Sequence, residues 1–168
     1  MFKRRSGEFD QIVPKGAEIE RLAIGFQFTE GPVWNFQEGC LLFSDIPANQ
    51  IKKWSPTKGI TTFREPSGNS NGLTYDKVSR LLACEHGNRR LSRTERDGAI
   101  TVLADGFRGK RLNSPNDVVV KSDGTIYFTD PPYGIGPEAQ ELPFQGVFRL
   151  SPEDGELTLL VEDFERPN

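Results

Sequence analysis

The sequence predicts an all-β chain of four-stranded sheets, arranged as the blades of a β-propeller. Three observations predict it. The first is a repeated grammar of short apolar runs and polar turns that begins at Glu30, Asn71 and Asn116. Each unit has room for four strands, and a four-strand unit of roughly 40–50 residues is the period of a propeller blade. The second is turn chemistry recurring at matching places. Gln37-Glu38-Gly39, Asp76 to Ser79 and Ser122-Asp123-Gly124 mark the first turn of each unit. Thr57-Lys58-Gly59, Arg96-Asp97-Gly98 and Glu153-Asp154-Gly155 mark a later one. Asp-Gly between apolar alternations is a strong hairpin signal, because glycine accepts the positive φ of a tight turn. The third is the lack of any sustained helical period, together with 17 glycines and 12 prolines in 168 residues. Many short elements are therefore expected, and helical bundles are excluded.

Taken in order, residues 1–29 form an N-terminal arm with one expected strand, Glu18 to Phe28. In many propellers such a strand completes the last blade. The first blade runs from Glu30 (EGPVWNFQEGCLLFSDIPANQIKKWSPTKGITTFRE), with Trp34 and Trp54 expected in its core. The second runs from Asn71 and the third from Asn116. Pro137 to Leu142 offers one turn of helix at most. Arg166-Pro167-Asn168 reads as the opening of a fourth unit, cut off at 168. The division is thus an arm, 1–29, and a partial propeller, 30–168. Known propellers close with four to eight blades. Three blades lead to the expectation of an N-terminal fragment or truncated product of a larger ring. The alternative is a half-propeller that self-associates into a six-bladed one.

Composition excludes several function classes. Lys and Arg number 21 against 24 Asp and Glu, a net charge of −3, so the basic surplus of a nucleic-acid binder is missing. No apolar run approaches the ~20 residues of a membrane span. The N-terminus, MFKRRSGEFDQIV, is basic but has no apolar signal core, which fits a cytoplasmic protein. Cys40 and Cys84 each lie inside an apolar run and read as buried thiols.

The chemistry concentrates at the strand openings. In a propeller the first strand of each blade is innermost, and the residue opening it points to the mouth of the central channel. Glu30, Asn71, Asn116 and Asn168 hold those positions. One carboxylate and several amide oxygens on one axis are hard donors, suited to Ca²⁺, with Zn²⁺ as the alternative. Amide carbonyls bind without accumulating negative charge, which leaves the ion able to polarise a carbonyl group. Asp45, the pair Glu85-His86, and Asp130 close the second strands on the same side, further out. His86 suits substrate orientation or proton relay, or else a structural hydrogen bond between blades. Asp45 and Asp130 suit the fixing of turns. Tyr133, in the loop Pro131-Pro132-Tyr133-Gly134, suits the channel rim or simple loop packing. The basic run Asn88 to Arg93 is expected to be a solvated strand face. With one histidine and no Gly-x-Ser-x-Gly, a serine triad has little support.

The segments EGPVW, LLACEHGNRR, RLNSPNDVVVKSDGTIYFTDPPYG and the terminal RPN resemble the senescence-marker-protein/gluconolactonase family, over roughly residues 20–168. The resemblance implies a six-bladed, metal-dependent hydrolase that opens a sugar-type lactone. It implies Glu30 as the carboxylate metal ligand. It implies Asn168 as the asparagine ligand of a P-N-G motif, although that glycine is missing here. Asn116 matches the channel asparagine of an N-D pair, as metal ligand or substrate contact. His86 and Tyr133 remain candidates for substrate contact. Two departures stand out. The family's later-blade aspartate, its usual base or nucleophile, lies beyond Asn168, so no catalytic residue is assigned and the isolated chain is expected to be inactive. Ser114 stands where the short animal members carry arginine, so their substrate preference does not transfer. The rival readings are a non-enzymatic propeller that binds partner proteins and an inactive truncation product. Convergent oxygen donors at the strand openings favour the enzyme.

Overall fold

In the computed structural model, which describes residue 3 and residues 5–168, three antiparallel four-stranded sheets follow one another along the chain. The first holds β1 (Thr29–Asn35), β2 (Cys40–Asp45), β3 (Gln50–Ser55) and β4 (Gly59–Arg64). The second holds β5 (Ser70–Tyr75), β6 (Leu81–Glu85), β7 (Arg90–Thr94) and β8 (Ile100–Ala104). A hairpin of β9 (Gly106–Phe107) and β10 (Lys110–Arg111) precedes the third sheet. That sheet holds β11 (Val118–Val120), β12 (Ile126–Asp130), β13 (Gly146–Leu150) and β14 (Leu157–Val161). Each sheet keeps its strands in sequence order, the up-and-down arrangement of propeller blades.

Alternation decides what packs where. Leu42 and Ile51 of the first sheet meet Leu73, Leu81 and Ala83 of the second. On β6 the neighbours Leu82 and Cys84 point the other way, into a larger core with Leu112, Val118, Phe128 and Phe148. Strand β6 is therefore buried along its whole length, as a strand covered on both faces must be. Stacked Phe128 and Phe148, with ring centroids 5.3 Å apart, anchor the larger core, and Phe107 from the hairpin meets Phe148 edge-on at 5.2 Å. Both cysteines are buried free thiols, and burial pushes the Cys84 thiol far up.

The inner strands lie unusually close at their openings, and two glycines permit it. A Cβ on Gly31, at φ +56°, would stand 2.1 Å from the Asn71 carbonyl oxygen. One on Gly72 would stand 2.6 Å from the Asn116 carbonyl oxygen. Instead the Gly72 N–H donates to that oxygen at 2.8 Å, and the Ser44 hydroxyl donates to the Asn71 carbonyl at 2.8 Å. Blade-to-blade contact at the axis is thus made by backbone.

Three expectations need correction. Residues Glu18 to Phe28 form no strand; they run as an irregular segment over the outer face of the first sheet, where Phe26 meets Phe43 edge-on at 5.0 Å. A strand needs a partner edge, and none lies beside these residues. A four-residue helix, α1 (Phe9–Ile12), precedes them. Trp34 and Trp54 are not enclosed, because they face outward from the first sheet, where no second sheet packs; Trp34 is 39% exposed. Arg89 is not solvated: its guanidinium is buried, and its Nε donates to the carbonyls of Leu112 and Asn113 at 2.7 and 3.1 Å. The β9–β10 hairpin was not anticipated either. Its turn has positive φ at both central residues, Arg108 and Gly109, which matches strand twist.

Candidate functional site at the strand openings

The first strands of the second and third sheets bring a row of amides together. Asn71 Nδ2 donates to Asn116 Oδ1 at 2.6 Å, and Asn116 Nδ2 donates to Asn168 Oδ1 at 2.6 Å. Asn71 and Asn116 are buried. Asn116 is held by its own backbone, because its N–H donates to the Thr129 carbonyl at 2.9 Å and its carbonyl accepts from Gly72. The Asn168 segment is held from the third sheet. The Tyr133 hydroxyl donates to the Arg166 carbonyl at 3.0 Å, and the Arg166 N–H donates to Gln145 Oε1 at 2.5 Å.

His86 sits just past β6 and against this row. Its Nε2 lies 3.4 Å from Asn71 Nδ2. An amide nitrogen can only donate, so Nε2 is the acceptor and the ring proton belongs on Nδ1. Burial holds the imidazole below its ordinary pKa, against an opposing hydrogen bond from the Asn116 side. The acceptor role at Nε2 belongs to the neutral ring, the form that burial favours. Its backbone is pinned by an N–H bond to the Asn69 carbonyl at 3.2 Å.

Two buried carboxylates hold backbone. Asp45 accepts the N–H groups of Gln27 and Phe28, which fixes the approach to β1. Asp130 accepts the N–H groups of Asn113 at 2.7 Å and Ser114 at 2.8 Å, which fixes the loop that delivers Asn116. Burial pushes the Asp130 carboxyl up to about 7, against the pull of those two N–H bonds. Glu85, the residue before His86, has a separate task. Its buried carboxylate gathers Arg64 Nη2 and Ser92 Oγ at 2.5 Å, Asn88 Nδ2 at 2.6 Å and Arg90 Nε at 2.7 Å.

Of the residues singled out by sequence, the structure joins Asn116, Asn168 and His86 into one network through Asn71, and places Tyr133 at its rim, 47% exposed. Glu30 is placed differently. It is half-buried on β1, beside a cavity of about 520 Å³ that it lines with Phe26, Phe43 and Trp54. Its link to the amide row runs through backbone, from Gly31 to Asn71. Among the described residues no three His, Cys, Asp or Glu side chains gather to hold a metal ion. The row itself offers amide oxygens, hard donors that suit a cation of the Ca²⁺ class and not a soft one, and the Glu30 carboxylate would join them only by turning from its cavity toward the row. Sequence did not single out the meeting of Ser114 and Gly134 beside His86. The Gly134 N–H donates to Ser114 Oγ at 2.8 Å, a meeting of residues twenty apart that no local pattern announces.

A family model described as SMP-30/Gluconolactonase/LRE-like region matches residues 28–168, which takes in all three sheets and the amide row. The chain belongs to the SMP-30/gluconolactonase/LRE-like family. A protein named gluconolactonase from Zymomonas mobilis is 37% identical, over 97% of this chain and 51% of its own length. A solved structure described as a putative gluconolactonase superposes with a TM-score of 0.89 at 43% identity, covering 96% of this chain and 58% of its own. A gluconolactonase from Xanthomonas campestris superposes at 0.79 with 34% identity, covering 84% of this chain and 49% of its own. The SMP-30/gluconolactonase-like chain therefore spans about half the length of these relatives. Regucalcin from Agrobacterium tumefaciens, at 18% identity and a TM-score of 0.63, shares the fold.

Proposed function

We propose that this chain is the N-terminal part of a metal-dependent hydrolase that opens a sugar-type lactone, with the substrate received at the row Asn71–Asn116–Asn168. The observation that carries the reading is that row, two 2.6 Å amide hydrogen bonds across successive strand openings, in a chain whose gluconolactonase relatives align along nearly all of it. A row of amides offers donors and acceptors at fixed spacing, which is what a polyhydroxylated ring requires.

Asn116 and Asn168, with Glu30 turned from its cavity toward the row, would hold the ion, Ca²⁺ before Zn²⁺, because their oxygens are hard and only one is charged. When bound, such an ion supplies Lewis-acid polarisation of a carbonyl oxygen. The chain's own residues bind and orient. Asn116, whose Oδ1 accepts from Asn71 and whose Nδ2 donates to Asn168, would offer its remaining lone pair and N–H to the substrate. His86, with Nε2 engaged by Asn71, directs its ring against the same amides. Tyr133 closes one side of the rim through its bond to Arg166. The base that activates the attacking water is assigned to none of these residues. Two unpaired thiols fit a reducing, cytoplasmic setting. No helix among the described residues is long and apolar enough to cross a membrane.

The test is calorimetric titration of Ca²⁺ and Zn²⁺ into wild type, Glu30→Gln and Asn116→Ala, beside hydrolysis of D-glucono-1,5-lactone. Glu30→Gln is expected to weaken metal binding by at least about tenfold, since affinity follows ligand charge. Asn116→Ala is expected to lower turnover at saturating metal. Equal metal affinity in wild type and Glu30→Gln overturns the ligand assignment. Turnover is read in a protein of the relatives' full length, because the chain alone is expected to lack the catalytic base, and metal binding there without lactone turnover overturns the hydrolase reading.

A further inference from the structure

We infer that Ser114 and Gly134 are positioning residues that fix the imidazole of His86 against the amide row. The inference rests on the lactonase reading for what His86 touches, but its geometry stands independently. A Cβ on Gly134 would lie 2.5 Å from His86 Cβ, 2.8 Å from His86 Cγ and 2.5 Å from Ser114 Oγ. Real Cβ contacts are never that short, so the backbone of Gly134 itself forms a wall against the root of the histidine side chain. Positive φ is not the reason for glycine here. Close approach is, because any side chain would drive His86 away from Asn71.

That wall is held rigidly. Ser114 Oγ accepts the Gly134 N–H at 2.8 Å. The Ser114 N–H is held in turn by Asp130 Oδ1 at 2.8 Å, and the adjacent Asn113 N–H by Oδ2 at 2.7 Å. Ser114, Asn113 and Asp130 are fully buried. Fixation therefore runs from one buried carboxylate through a serine hydroxyl to a glycine backbone, and ends at the imidazole. Asn71 holds the other side, 3.4 Å from Nε2. A residue at 114 without a hydroxyl leaves the Gly134 N–H without this partner. Residue 114 thus acts on the site through Gly134 and His86.

His86 is the only histidine in the chain, so its ring ¹H–¹³C resonances report its position without interference. The test records them in wild type, Gly134→Ala and Ser114→Ala, with Leu150→Ala as a control that removes core packing at the far end of the third sheet. Both site variants are expected to displace or broaden the His86 resonances, while Leu150→Ala leaves them in place. Hydrolysis of D-glucono-1,5-lactone is measured on the same samples. A misplaced imidazole is expected to lower kcat/KM about 10–100-fold. Unchanged resonances in both folded site variants overturn the inference. So do displaced resonances with undiminished turnover. Where the chain alone turns over no lactone, as expected without the catalytic base, the resonances decide the positioning, and the turnover comparison is made in a protein of the relatives' full length.

Discussion

At residue scale, Glu85 and Asp130 show how two buried carboxylates on equivalent strands acquire opposite pH behaviour. Burial pushes the Glu85 carboxyl up, but hydrogen bonds from Arg90, Asn88, Ser92 and Arg64 outweigh it and leave the group below the usual carboxylate range. A depressed folded pKa contributes stability that is present at neutral pH and lost as pH falls through the folded value. Asp130 has fewer partners, so burial wins and the group rises to about 7. Its contribution is present below the ordinary carboxylate pKa and lost as pH rises towards 7. Glu85→Gln is expected to cost about 3 kcal/mol, because Arg64 and Arg90 lose the charge that compensates them. It is also expected to flatten the acid limb of the stability curve. Chemical denaturation from pH 3 to pH 8 checks both, and an acid limb as steep as wild type contradicts the assignment. Glu85 and His86 look like a pair in sequence. They part in the structure because successive residues at a strand end turn to opposite sides.

At element scale, the strands were legible wherever apolar alternation met a glycine turn, as from Cys40 through Gly59 and from Leu81 through Gly98. The arm was not, because Ile19, Leu22 and Ile24 look like a strand but have no edge to pair with, and they remain exposed. Alternation shows that a segment has an apolar face; it cannot supply the neighbour. The β9–β10 hairpin escaped notice because two residues per strand are too few to alternate. One close contact between inner strands is directly testable. At Gly72 a Cβ would meet backbone atoms of Asn116 and Asp117 at 2.6–2.7 Å. Gly72→Ala is accordingly expected to cost about 3 kcal/mol or more. It should also weaken metal binding, since Asn116 moves with the strand. A thermal melt within 2 °C of wild type would show that the inner strands tolerate separation.

For the whole molecule, the two outermost sheets each present a face that no other sheet covers. The first exposes Trp34 and Phe63, the third Val119 and Leu160. The edge strands β4 and β14 carry unpaired backbone beside them, a combination that favours association between chains. Sedimentation at rising concentration is expected to show mass increasing beyond one chain. A single monomeric species throughout would mean that the arm shields the first face well enough. The sheet order and the strand openings could be read in advance because they repeat. The network of Asn71, Asn116, Asn168 and His86 could be read only in part. Opening positions announce which residues converge, but not which amide donates to which, nor that Glu30 reaches the row by backbone alone.

The two hidden sulfurs turn the protein into its own clock. Cys40 belongs to the first sheet and Cys84 to the core between the second and third. A water-soluble thiol dye can modify neither until its surroundings open, so each labelling rate measures how often that region unlocks. Two equal rates would describe a chain that opens as one body. We expect Cys40 to be labelled first, because its sheet has a neighbour on one side only, whereas β6 is enclosed on both.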